Sequence, residues 1–117
     1  MPDTLPPLLG TEWSLVEVDG QPAPLGAGEK PATLSLTTSD GRASGFAGCN
    51  RWSGSYERTG DQLRFGRLIS TKMACSSGME LEQRYLTALE QVRSYAITLR
   101  GLELRGDGTV LARLVRR

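Results

Sequence analysis

The stretch SGFAGCNRWSGSY, Ser44 to Tyr56, sets one cysteine among three glycines, an asparagine, a tryptophan and a tyrosine. Read as strand, it places Trp52 and Tyr56 on one face, because side chains alternate across a pleated chain. Gly45, Gly48 and Gly54 then mark bulges or points of close backbone approach. Asn50 tolerates the left-handed region and fits a tight turn. The stretch therefore describes a corner in a sheet, shaped by glycine and filled by aromatic rings.

Outward from that corner the chain is made of short strands. Thr11–Val18 has strand composition and ends at the turn signal Asp19-Gly20, after which residues 21–31 are rich in Pro, Gly and Ala and read as loop. Thr33–Thr37 puts Leu34 and Leu36 on one face, and Asp40-Gly41 is a hairpin turn leading back into the opening stretch. Ser55–Arg58 and Gln62–Phe65, joined by Thr59-Gly60-Asp61, form a second hairpin with Leu63 and Phe65 on a shared face. Residues 66–75, GRLISTKMAC, read as a short strand and then a loop.

One helix stands out. Ser77-Gly78-Met79-Glu80 has capping-box spacing, and Leu81, Tyr85, Leu89 and Val92 recur at helical intervals with Leu86 beside them. Glu80 and Glu82 fall in its first turn, which suits the positive end of the helix dipole. The stripe is read as core. Tyr95–Leu99, Leu102–Leu104 and Val110–Val115 follow as strands, with Gly101 and Gly106-Asp107-Gly108 as turns. Many antiparallel strands and one late helix give an α+β class: a strongly curved, barrel-like antiparallel sheet with the helix packed on it or capping it. The 117 residues suit one domain, 11–117, behind a loose lead-in at 1–10 that contains Pro2, Pro6 and Pro7.

Composition removes most familiar chemistry. There is no histidine, so no serine or cysteine has an imidazole base and no metal has an imidazole ligand. Two cysteines cannot build a four-thiolate zinc site, and no cofactor motif is present. The net charge is +1 with scattered arginines, without the basic stripe of a nucleic-acid binder. Ser70-Thr71-Lys72 is too common a spacing to carry a serine–lysine mechanism. No segment approaches the roughly 20 apolar residues of a membrane span, and the start lacks the charged and apolar regions of a secretory leader. The chain is expected to be a soluble monomer.

Three readings of Cys49 and Cys75 follow from the residues. A disulfide would close a loop of about 27 residues and contribute roughly 3–4 kcal/mol. Two buried free thiols would suit a cytosolic protein. A redox pair or thiol enzyme would need a low-pKa thiol; Arg51 and Lys72 are the nearby cations, and Cys75 lies ahead of a helix N-terminus.

SGFAGCNRWSGSY followed by LISTKMAC resembles the paired signature of the META domain family, which includes the bacterial heat-shock protein HslJ. Glu12-Trp13-Ser14-Leu15 and the helix ending YLTALEQVRSY fit the same pattern, so the resemblance covers residues 8 to 117. Gly48-Cys49-Asn50 and Met73-Ala74-Cys75 match its motif positions. The resemblance implies a barrel-like fold, a periplasmic or outer-membrane-associated location, a role in stress response, and cysteines that pair in secreted members. The departure is the missing leader and lipobox cysteine, which keeps a cytoplasmic location open. The resulting expectation is a non-enzymatic envelope domain binding a partner protein, peptide or lipid-like ligand, with a surface around Arg51, Trp52, Tyr56 and Met73. The rival expectations are a thiol-dependent enzyme or redox sensor using Cys49 and Cys75, and a purely structural module of an envelope assembly.

Overall fold

The computed structural model describes residues 5–116. Its ten strands are β1 (Glu12–Val18), β2 (Gln21–Pro22), β3 (Thr33–Leu36), β4 (Arg42–Phe46), β5 (Arg51–Thr59), β6 (Gln62–Phe65), β7 (Ile69–Ser70), β8 (Ser94–Thr98), β9 (Gly101–Arg105) and β10 (Val110–Arg116). A single α-helix, α1 (Met79–Glu90), lies between β7 and β8, and one 3-10 turn spans Ala27–Glu29. Eight of the strands pair in the order β10-β9-β8-β6-β5-β4-β3-β1, and β1 pairs again with β10, so the sheet closes as an antiparallel barrel. The two short strands are additions: β2 on β1 and β7 on β5.

Side-chain alternation fills the barrel. Trp13 and Leu15 of β1, Leu34 and Leu36 of β3, Leu63 of β6, Leu102 and Leu104 of β9, and Leu114 of β10 are all buried. Leu15 and Val18 both point inward although three residues apart, which strict alternation forbids. A bulge at Val16 absorbs the extra residue, since Leu15 opposes Leu114 while Glu17 opposes Arg113. Asp19 and Gly20 both have positive φ, 55° and 76°, as the tight hairpin turn read there requires.

The helix covers the barrel interior and packs against β1, β6 and β10. Leu81, Tyr85, Ala88 and Leu89 are its buried apolar residues, Glu82 is buried with them, and Val92 is buried just past its end. The stripe read from the sequence is thus core, as expected. The capping box is not formed. Gly78, with φ 91°, is the N-cap, and no side chain bonds to that end. The helix begins one residue later than that spacing requires, which puts Ser77 outside the cap, and a Cβ at Gly78 would lie 2.2 Å from the Gly48 carbonyl oxygen, so the N-cap position holds glycine.

Two further expectations change. Leu99-Arg100 is the turn between β8 and β9, and Gly101 opens β9, because a Cβ there would strike the Leu114 carbonyl oxygen across the sheet. The lead-in is tied to the barrel from Pro7 onward. Thr11 Oγ1 donates to the Pro7 carbonyl, Trp13 Nε1 to the Leu8 carbonyl and the Gly10 amide to the Leu36 carbonyl. Residues 1–4 of that segment lie outside the described residues.

Candidate functional site

Between β4 and β5 the chain makes a loop, Ala47–Asn50, closed by a 2.8 Å bond from the Ala47 amide to the Asn50 carbonyl. Gly48 lets this loop touch the helix. At φ 133°, a Cβ would sit 2.7 Å from the Gly78 carbonyl oxygen and 3.0 Å from the Glu82 nitrogen. Its own carbonyl accepts from the Ala27 amide at 2.7 Å, so three chain segments meet backbone to backbone.

Glu82 locks the contact. Only 8% exposed, it accepts from the Cys49 amide at 3.1 Å and the Asn50 amide at 2.6 Å through Oε1. Its Oε2 accepts from Asn50 Nδ2 at 2.9 Å. Every donor is a neutral amide, and the carboxylate's placement in a helical first turn adds the favourable dipole.

Asn50, 2% exposed, carries the lock onward to the segment after β7. Its Oδ1 accepts from the Met73 amide and from Thr71 Oγ1, each at 2.8 Å, and its Nδ2 also donates to the Met73 carbonyl at 3.2 Å. The carboxamide thus bonds both backbone groups of Met73 as a neighbouring strand would, using all its donors and acceptors. Cys49 and Cys75 are joined by a disulfide with Cα atoms 5.9 Å apart. Of the three readings open at the residue level, the structure selects the staple. Among the described residues no cysteine is free and no group of three metal-ligating side chains assembles.

Beneath the loop, three rings pack edge to face. Trp52 meets Phe65 and Tyr85 with centroids 6.3 Å apart in each case. Trp52 Nε1 and the Tyr85 hydroxyl both donate to the Thr33 carbonyl, at 3.3 and 2.8 Å. Burial pushes the Tyr85 phenol well above the usual tyrosine range, so it stays a neutral donor.

The comparisons follow the same architecture. A family model described as META domain matches residues 6–117. The chain belongs to the META domain family. A solved structure described as an NMR structure of a protein from Burkholderia xenovorans is 34% identical, with a TM-score of 0.74 over 100% of this chain and 92% of the other. Another NMR structure, 24% identical with a TM-score of 0.67, covers 90% of this chain and 88% of its own, and shows the fold alone. No curated protein matches the chain.

In this META domain the motif splits into groups that hold the loop and groups that face outward. Gly48, Cys49, Asn50 and Cys75 do the holding. Arg51 is exposed and Met73 is 60% exposed. Tyr56 is half-buried with its hydroxyl donating to the Thr37 carbonyl. Trp52 is 2% exposed, at the edge of one of the shallow clefts around β7, and its ring is taken up by Phe65, Tyr85 and Thr33. Ala74 is exposed. Shallow clefts surround β7: one of about 430 Å³ lined by Arg51, Ser53, Ile69 and Thr71, and one of about 520 Å³ lined by Ser70, Lys72, Met79 and Leu86.

Sequence reasoning passed over Glu82 as a dipole-compatible acid. The signal was there, since Glu82, Tyr85, Leu86 and Leu89 share one helical face at i, i+3, i+4 and i+7. A carboxylate within a buried stripe requires partners, and amides were the available ones.

Proposed function

We propose that this META domain is a non-catalytic binding module of the cell envelope, taking a partner protein or peptide on the surface around Arg51, Met73 and β7. One observation carries the reading. The motif's reactive and polar groups are spent inside the molecule, in a disulfide and in the Glu82–Asn50 lock, while what they support is an exposed rim of Arg51, Lys72, Met73 and the 63%-exposed Ile69. A thiol enzyme needs an accessible thiolate, and both sulfurs are bonded to each other. A disulfide also favours an oxidising compartment, which agrees with an extracytoplasmic location. The likeness to HslJ is what suggests a stress-associated setting. No helix among the described residues is long and apolar enough to cross a membrane, and the reading needs none.

Photo-cross-linking in cells tests this. A photoreactive residue at Met73 is expected to give a discrete adduct of higher mass, while the same residue at Asp107, in a remote turn, gives none. Equal labelling at both positions, or none at Met73, overturns the reading.

A further inference from the structure

Exposed sulfur is what two-electron oxidants reach first, and among the described residues it is confined to one region. The chain holds three methionines and two cysteines. The cysteines are already bonded to each other. Met1 lies outside the described residues, while Met73 is 60% and Met79 46% exposed. Methionine fits a core about as well as leucine. Yet the core is built on leucine at positions such as Leu34, Leu63, Leu89 and Leu102, and among the described residues it holds no methionine. The indoles of Trp13 and Trp52, oxidisable in their turn, are buried.

Both methionines flank the loop Ala47–Asn50, and the packing of the barrel depends on neither. Met73 is fixed by its backbone, whose amide and carbonyl bond the Asn50 carboxamide at 2.8 and 3.2 Å, while its side chain stands outside. Met79 follows Gly78, which meets Gly48, and lines the 520 Å³ cleft beside Lys72 and Leu86. Neither thioether is among the apolar groups packed against the core. Oxygen added to either sulfur therefore alters the surface and leaves the packing beneath it alone. A sulfoxide is polar where the thioether is apolar and adaptable, so a partner seated on these side chains loses apolar contact.

We propose that Met73 and Met79 form a reversible oxidation site, through which a peroxide weakens the hold of the partner. A sulfur lone pair attacks one oxygen of hydrogen peroxide, forming an S–O bond as the O–O bond breaks. The departing hydroxide takes the proton of the transferred oxygen and leaves as water, and sulfur has lost the two electrons that the peroxide gained. Two thiols of a methionine sulfoxide reductase return those electrons, carry the oxygen off as water and become a disulfide. Both reactions need the sulfur accessible on the folded protein. The oxidation site stands on burial alone; its effect on a partner rests on the binding-module reading.

Hydrogen peroxide applied to the folded, disulfide-bonded protein tests the site. Trypsin cleaves after Lys72 and Arg84, so both residues travel in one peptide, 73–84, apart from Met1 and both tryptophans. Mass spectrometry is expected to find oxygen on both methionines of that peptide. It is expected to arrive within about threefold of the rate for the same peptide free in solution with its cysteine blocked. The melting temperature is expected to stay within about 3 °C of the untreated protein's. A methionine sulfoxide reductase is expected to remove both oxygens without unfolding. Oxidation more than about tenfold slower than in the free peptide, oxygen appearing first on the tryptophan peptides, loss of the cooperative transition, or resistance to the reductase each overturns the site.

For the effect on a partner, purified protein with a photoreactive residue at Ile69 is mixed with cell extract, before or after peroxide treatment, and irradiated. The discrete adduct is expected to fall about tenfold or more after treatment and to return after the reductase. Met73→Gln, polar without any oxidant, is expected to keep its melting temperature and to weaken the adduct likewise. An adduct indifferent to oxidation overturns the weakening and leaves the binding module standing. Sulfoxides confined to 73–84 with no adduct in either state overturn the binding module and the weakening together, and leave the oxidation site.

Discussion

Glu82 concentrates the stabilising chemistry of the loop in two oxygen atoms. Replacing it with alanine leaves the Cys49 and Asn50 amides and Asn50 Nδ2 buried without their acceptor, a loss of about 3 kcal/mol or more. Glu82→Gln keeps one oxygen for the two backbone amides but turns an NH₂ group toward Asn50 Nδ2. The expected cost is smaller, about 1–2 kcal/mol. Urea denaturation of the two variants measures both, and the reverse order would show that the carboxylate is not the hub. Tyr85→Phe is a milder case. The Thr33 carbonyl keeps its bond from Trp52 Nε1, so it is not orphaned, and the expected loss is about 1 kcal/mol. A loss above about 3 kcal/mol in the same denaturation would mean that the indole bond does not substitute for the phenol.

At the scale of elements, the disulfide ties the segment after β7 to the loop before β5. Cys49→Ala with Cys75→Ala is expected to lose about 3–4 kcal/mol, the chain-entropy value for this span. In a domain of this size that is a fall of about 10–15 °C in Tm, readable by calorimetry. The Asn50 carboxamide still holds Met73, so the fold is expected to persist; a variant without a cooperative transition would contradict that division of labour. Much at this scale was legible in the sequence. The helix showed itself by Leu81, Tyr85 and Leu89, and the turns by Asp19-Gly20 and Thr59-Gly60-Asp61, because these signals lie within a few neighbouring residues. What escaped depended on distant backbone. Ser77 and Glu80 have the spacing of a capping box, yet the helix starts one residue later, with Gly78 as its N-cap against the Gly48 carbonyl, 30 residues earlier. Likewise Trp52 reads as a motif ring free to bind, and only the meeting of β3, β5 and α1 shows its indole spent on Thr33.

At the scale of the whole molecule, the first and last strands must find each other, and no local pattern in β1 or β10 announces that pairing. A curved, barrel-like sheet was readable from the strands; which two strands close it was not. The closing seam carries a charge ladder on its outer face: Glu17 of β1, Arg113 of β10, and Glu103 with Arg105 of β9. Arg113 bridges the seam at 3.1 Å to Glu17 and 3.2 Å to Glu103. Hydrogen bonding to the Arg105 guanidinium, helped by Arg113, holds the Glu103 carboxyl below the usual glutamate value of 4.5. A carboxyl depressed in the folded state binds its proton more readily when unfolded, so its contribution is present above the unfolded value and lost as pH falls through the folded one. Stability is therefore expected to be level in this respect from neutral pH to about 5 and to decline below about 4.5. Glu103→Gln removes the titrating group from the ladder. Denaturation curves from pH 7 to pH 3 are expected to show a shallower acid decline for Glu103→Gln than for the parent chain. Identical slopes would assign the acid sensitivity to other carboxylates and leave the seam to be held by its backbone pairing and the leucines behind it.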